Sequence, residues 1–274
     1  MQAPNTTRKP VYVDVHAHLV HERFETDAEQ VAERARDAGL EYVIVNGLEP
    51  VSNRGVLELC SRYDHLLPAL GIYPVDAICN HIDADNWPHD WPSPARFDIE
   101  AELRFIDAVA DDLVAIGECG LDQHWVRDKA TEQEHVLRSL IEIAKAHDKP
   151  VILHSRRAEA RTFEILQEMA VEKADFHCYG GKLKLARRIA DAGYYLSIPP
   201  VVVRAESFQR LAQELPLDRI LSETDCPYMG PDPGERNEPA NVPRGVAAMA
   251  GARGIEVDEM AAAIRDNFQR LFGI

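Results

Sequence analysis

Residues 11–19, VYVDVHAHL, decide how the rest of the chain is read. Residues 11–15 are apolar and mostly β-branched apart from Asp14, the pattern of a buried strand, and they run directly into His16 and His18. A doubly wound open sheet would place a glycine-rich phosphate loop after its first strand, and no GxGxxG follows here. Side chains two apart on a strand share a face. Both imidazoles therefore point the same way, as two ligands of one cation must. The pair alone reads equally well as two hydrogen-bonded histidines. Its weight depends on what the remaining strands deliver to the same place.

Further short apolar runs at 42–46, 66–70, 113–117, 151–154, 175–177, 194–198 and 220–223 bring the candidate strands to eight. Helical patterns lie near 26–38, 52–63, 98–111, 130–147, 157–171, 183–192 and 204–214. Alternation of this kind implies parallel strands joined by right-handed crossovers. Eight such units close into a (β/α)8 TIM barrel, which takes ~250 residues as one domain. The expectation is a single barrel domain over residues 10–274, with a doubly wound sheet as the alternative. In the 130–147 segment Val136, Leu137, Leu140, Ile141 and Ala144 fall at helical spacing, Thr131 and Glu134 have the form of a capping box, and Pro150 ends the segment. The connection after the third strand, residues 74–97, is long, proline-broken and carries Trp87 and Trp91. A functional lid and a flap packing its tryptophans on the barrel rim are equally good readings.

Hydrophobic residues make up 46% of the 274, enough for a large core, and the formal net charge is −16. That charge argues against nucleic-acid binding through overall electrostatics. It leaves open a cleft whose field is set by bound cations and local arginines. Cys60, Cys79, Cys119, Cys178 and Cys226 show no CxxC pairing and read as reduced core residues of a cytoplasmic protein. The first nine residues carry no apolar signal segment and read as a flexible tail, and no run has the ~20 apolar residues of a membrane helix.

The chemistry gathers at the strand ends. Glu118 follows the fourth candidate strand, His154 ends the fifth, His177 the sixth, and Asp225 follows the eighth. In a barrel these ends form the active-site mouth, and buried charges must be paired or coordinate metal. Four histidines and two carboxylates exceed one tetrahedral ion. They suit two ions bridged by a carboxylate, with Glu118 as the bridge and Asp225 as a ligand, a proton acceptor, or both. His21, His65, His81, His89, His124, His135 and His147 lie in candidate helices or loops and read as surface residues, His124 least securely.

The stretches VDVHAHL, GECGLD, PVILHSR, FHCYGG, SETDCPY, RNEP and NFQRLFG together resemble the TatD family of metal-dependent deoxyribonucleases, among the amidohydrolase-like barrels. They run in the family's order over essentially the whole chain. The resemblance implies that His16, His18, Glu118, His154, His177 and Asp225 are the metal ligands. It implies 3′→5′ exonuclease or DNase chemistry, a hydroxide activated by two divalent ions attacking phosphorus, with Mg²⁺ expected first and Zn²⁺ or Mn²⁺ as alternatives. Two departures stand out. Gly71-Ile72-Tyr73-Pro74 replaces the common G-x-H-P, and Tyr179 lies in FHCYGG where many members have Phe and Ser. Arg156 and Arg236 are candidate phosphate contacts, with Glu238 orienting Arg236. Tyr73, Tyr179, Trp87 and Trp91 are candidate stacking surfaces, with core or rim packing an equal reading for each. Asp122 and Glu223 are carboxylates expected to position ligands or waters. The substrate expected is DNA or an oligonucleotide, single-stranded or at an end, with no membrane association and an oligomeric state left open, monomer included. Two other readings compete. A related hydrolase of esters, lactones, amides or phosphotriesters would often carry a carboxylated lysine on strand four, where this chain has Glu118. A non-catalytic binding module would not need the full set of ligand-type residues.

Overall fold

The computed structural model describes residues 10–274, so the segment expected to be a flexible tail lies outside the described residues. Eight parallel strands follow one another round a single sheet: β1 (Tyr12–Ala17), β2 (Leu40–Asn46), β3 (Leu66–Leu70), β4 (Ala115–Gly120), β5 (Val151–His154), β6 (Ala174–Phe176), β7 (Tyr195–Ile198) and β8 (Ile220–Ser222). The eighth returns beside the first. There Ala17 bridges Cys226, the Ser222 hydroxyl donates to the Val13 carbonyl, and Thr224 reaches Asp14. The helices α1 (Ala28–Asp37), α2 (Pro50–Cys60), α3 (Ile99–Val109), α4 (Ala130–Ala146), α5 (Glu159–Glu168), α6 (Leu183–Asp191) and α7 (Glu206–Glu214) alternate with the strands as the periodicity predicts. This is the TIM barrel, its core formed where the strands' apolar side chains meet one another and the inner helix faces.

The structure departs from the sequence-based expectation in several places. Two more helices follow β8, α8 (Val242–Arg253) and α9 (Val257–Phe272). The first is hard to read because VPRGVAAMAGAR is built of small residues with little polar contrast, and Gly245 lies against Pro200. Helix α4 starts without a side-chain cap, so Thr131 and Glu134 form no capping box; the N-cap position is Lys129 and Thr131 is already inside the helix. Strands β1 and β4 extend beyond their expected ends, which puts His16 and Glu118 within strands. His177 falls one residue past β6.

The long connection is a flap of two short 3-10 turns, Asp76–His81 and Ala84–Asn86. It has its own small core of Val75, Ile78, Ile82 and Val126, on which Tyr73, Trp87, Trp91 and Trp125 pack. All five cysteines are free. Among the described residues no helix is long and apolar enough to cross a membrane.

Candidate metal centre

Strand alternation builds the floor of the site. Asp14, His16 and His18 share the inner face of β1, and the two residues within the strand are fully buried. Asp14 ties the first strand to the last: its carboxylate accepts from the His16 and Thr224 backbone N–H groups at 3.1 and 2.9 Å and from the Thr224 hydroxyl at 2.6 Å. Asp225 follows at a left-handed φ of 52°, a conformation that costs a non-glycine residue energy and recurs at functional sites. Glu118 comes from β4, whose backbone is crowded. A Cβ at Gly71 would lie 2.3 Å from the Glu118 carbonyl oxygen. One at Gly120, where φ is 148°, would lie 1.9 Å from that of His154. Glycine at these two positions lets β3, β4 and β5 approach at the level of the site.

All six expected ligands converge, and Glu118 divides them. Its Oε2 lies 3.3 Å from His16 Nε2 and 3.4 Å from His18 Nε2. Asp225 Oδ1 completes that side, 4.0 and 3.6 Å from the same two nitrogens. Glu118 Oε1 faces the other way, 2.9 Å from His154 Nδ1 and 3.0 Å from His177 Nε2. His16, His18 and Asp225 form one group with the spacing to hold an ion, and Glu118, His154 and His177 form another.

The outer contacts orient these donors. His18 Nδ1–H donates to the Asn46 carbonyl at 3.2 Å, which leaves Nε2 facing inward. His154 Nε2 lies 2.8 Å from Asp122 Oδ2, which leaves Nδ1 for the centre. His177 Nδ1 lies 3.7 Å from Glu223 Oε2, and its ring stacks on that of His16 with centroids 3.8 Å apart. Glu223 also falls within ligand spacing of His16 and His177. Its oxygens, however, accept from the Cys178 N–H at 2.8 Å and the Ser197 hydroxyl at 2.7 Å, so it positions rather than ligates.

The donor set fits a divalent cation. His16 Nε2 and His18 Nε2 are 3.0 Å apart, a separation at which two lone pairs repel unless a proton or cation lies between them. Burial pushes the Glu118 carboxyl up, but the His177 charge and hydrogen bonds from His154, His16 and His177 outweigh it and hold the group well below its ordinary value. Asp225 is likewise held down against burial, chiefly by its bond with His18. His18 rises to about 10 because Asp225 and Glu118 outweigh its burial, and His154 and His177 rise for the same kind of reason. His16 falls to about 3 through burial and the His177 charge. The buried Glu118 and the half-buried Asp225 thus draw in positive charge, which protons or cations can supply.

The expected substrate contacts fare unevenly. Tyr73 is at the site, its ring 5.0 Å from that of His154 and its hydroxyl 3.5 Å from Asp122. Arg156 is exposed, its guanidinium 5.1 Å over the Trp125 ring. Tyr179 does not line the mouth: it is buried, and its hydroxyl donates to the Lys182 carbonyl because the following turn folds over it. Nor does Glu238 orient Arg236. Arg236 forks onto Asp27 at 2.7 and 2.6 Å, while Glu238 takes Arg34 at 2.6–3.1 Å, because α1 brings both opposite charges alongside RNEP. Sequence reasoning missed Asp14, Thr224, Asn46 and Asn237. Asp14 had a signal, an acid on the same face of β1 as the two histidines. The Asn237 amide, which donates to the Thr224 and Tyr228 carbonyls, had none beyond its place in RNEP.

Comparison with known proteins agrees with this geometry. The family described as TatD related DNase matches residues 13–273. A Bacillus subtilis protein named as the uncharacterized metal-dependent hydrolase YabD is 34% identical over 269 residues, spanning 95% of this chain and 98% of that protein. Human deoxyribonuclease TATDN3 is 34% identical over 265 residues, spanning 95% and 94%. The crystal structure of YjjV, a TatD homologue from Escherichia coli, superposes with a TM-score of 0.82 at 29% identity, covering 96% of this chain and 98% of that one. A barrel whose strand ends converge on a shared glutamate, matched along its length by these sequences, belongs to the TatD family of metal-dependent hydrolases.

Proposed function

We propose that this metal-dependent hydrolase cleaves phosphodiester bonds of DNA, acting 3′→5′ on single-stranded or frayed ends, with two divalent ions, Mg²⁺ foremost, held by His16, His18, Glu118, His154, His177 and Asp225. The observation that carries the reading is the division at Glu118, whose two oxygens face two separate donor groups. When bound, a pair of divalent ions supplies an activated water and positive charge for the developing oxyanions of an in-line displacement. Glu118 holds the two donor groups in register. Asp225 is the most exposed of the six ligands, its side chain 17% accessible against 12% for His154, so it reaches the mouth and suits a group that accepts the attacking water's proton. Asp122 and Glu223 fix the ring faces of His154 and His177. Tyr73, beside His154, borders the space a substrate enters. The human relative's name, deoxyribonuclease, supports DNA as the substrate.

The test is a metal-swap assay on end-labelled single-stranded and duplex oligonucleotides. Cation-dependent laddering from the 3′ end of single strands is expected. Loss of 5′ nucleotides first would overturn the direction, and turnover of lactones or amides with no oligonucleotide cleavage would overturn the substrate class.

A further inference from the structure

The loop after β4 and the turn after β5 meet beside the His154 half of the site. The Gln123 N–H donates to the Arg156 carbonyl at 3.0 Å, clamping one to the other. Asp122 links this clamp to the centre. One of its oxygens faces His154 Nε2, and the other accepts from the His124 and Trp125 backbone N–H groups at 2.7 Å each. Trp125 is therefore one carboxylate away from a ligand. Its outer edge is backed by the flap: the Trp91 and His89 rings lie 5.8 and 5.1 Å from it, and His89 Nε2 donates to the Trp125 carbonyl at 3.0 Å.

Positive charge collects on this support. The Arg156 guanidinium lies 5.1 Å over the Trp125 ring, a cation–π position in which its N–H groups can still reach an anion. Arg157 is exposed at a left-handed φ of 59°. Arg127 is also exposed, and all three guanidiniums act on the His124 ring, which burial and these charges make harder to protonate. Among the described residues none of the three makes an ion pair, so their charge is not offset by a carboxylate on a chain of net charge −16. Asp122, the carboxylate built into the clamp, is occupied by His154 and backbone N–H groups. Asp128 lies 3.8 Å from Lys129, and Glu159 accepts from the Arg157 backbone N–H at 3.3 Å without pairing with its guanidinium.

We propose that Arg127, Arg156 and Arg157, arranged around Trp125, form a rail that binds the phosphate backbone of a single-stranded oligonucleotide next to the bond being cleaved. The proposal rests on the phosphodiesterase reading above and adds where the uncleaved part of the strand lies. Trp125 is a positioning residue that holds the Arg156 guanidinium over its ring. Unpaired bases can stack on such an arginine–aromatic layer, whereas the bases of a duplex are already stacked on one another.

The experiment measures fluorescence anisotropy of a labelled deoxythymidine octamer with the full chain in EDTA, so that binding is read without chemistry. R127Q/R156Q/R157Q is expected to weaken binding at least tenfold and to flatten the dependence of log K on log salt by about 0.7 for each phosphate the variant no longer neutralises. W125A is expected to weaken it as well, and W125F, which keeps a ring beneath Arg156, to restore most of it. Circular dichroism checks each fold, and R157Q alone replaces the triple variant if that does not fold. Unchanged affinity and salt slope would overturn the rail, as would an equal loss of affinity for a blunt duplex. A rail-dependent octamer that no metal-loaded wild type cleaves would support the rail and overturn the phosphodiesterase reading. Cleavage with unaltered binding would do the reverse.

Discussion

The two sides of Glu118 are built differently. The side made by His16, His18 and Asp225 joins the first strand to the turn after the last, and it carries a carboxylate of its own. Its alignment comes from Asp14, which knits the backbones of the two ends together. The side made by His154 and His177 comes from neighbouring strands and has no carboxylate except Glu118. Its further negative charge sits one layer out, in Asp122 and Glu223. One side places its own carboxylate among the inward-facing nitrogens, and the other places it behind the imidazoles, where it sets ring orientation and basicity.

Removing what the two sides share should have the largest effect. E118A is expected to lower hydrolysis by on the order of 10³-fold or more and to remove bound metal from both sides. Elemental analysis retaining the full wild-type metal content would break the picture of a shared carboxylate. D225A is expected to cost less metal, confined to one side, with a loss of activity approaching that of E118A. D122N should act on the opposite side and more mildly, by about 10–100-fold, as changes behind a metal-binding histidine do. Equal metal losses in D225A and D122N would remove the distinction between the sides.

Protonation sharpens it further. In the metal-free protein one histidine of the first side is held up, His18 at about 10, and the other down, His16 at about 3, whereas both histidines of the second side are raised. Raised groups must lose their protons to bind an ion. Metal affinity is therefore expected to rise with pH, and calorimetry in buffers of different ionisation enthalpy should find more proton release on loading the second side. Affinity that is flat between pH 6 and 8 would contradict it. The smallest effect is expected away from both sides. R236Q loses a partly exposed pair with Asp27, so stability should fall by less than about 1 kcal/mol, with little change in oligonucleotide KM. A tenfold rise in KM would return Arg236 to the substrate.

The barrel and the six converging side chains were legible because both depend on period. Alternation along a strand and the order of strands round a barrel place His16, His18, Glu118, His154, His177 and Asp225 at one mouth with no knowledge of contacts. Pairing between distant segments was not legible. Arg156 and Arg236 looked alike in sequence, yet Arg156 stands over Trp125 while Arg236 meets Asp27, because α1 happens to bring an acid to one and nothing does so for the other. Tyr179 turned inward for a similar reason, the turn at Lys182 offering its hydroxyl an acceptor. Helix α8 was invisible because small residues pack closely without a contrast between faces.

The seam between Asp14 and Thr224 joins residues 210 positions apart. Contacts between such distant residues raise contact order and slow folding, and during synthesis the final turn emerges long after the first strand. Glu118, His154 and His177 all precede Asp225 in the chain and come from the consecutive strands β4, β5 and β6 or the residue after. One donor group thus draws on consecutive strands, while the other is complete only when the segment after the last strand is made. On the proposed assignment a copy ending before the last strand would lack Asp225, and activity would come only with the completed barrel.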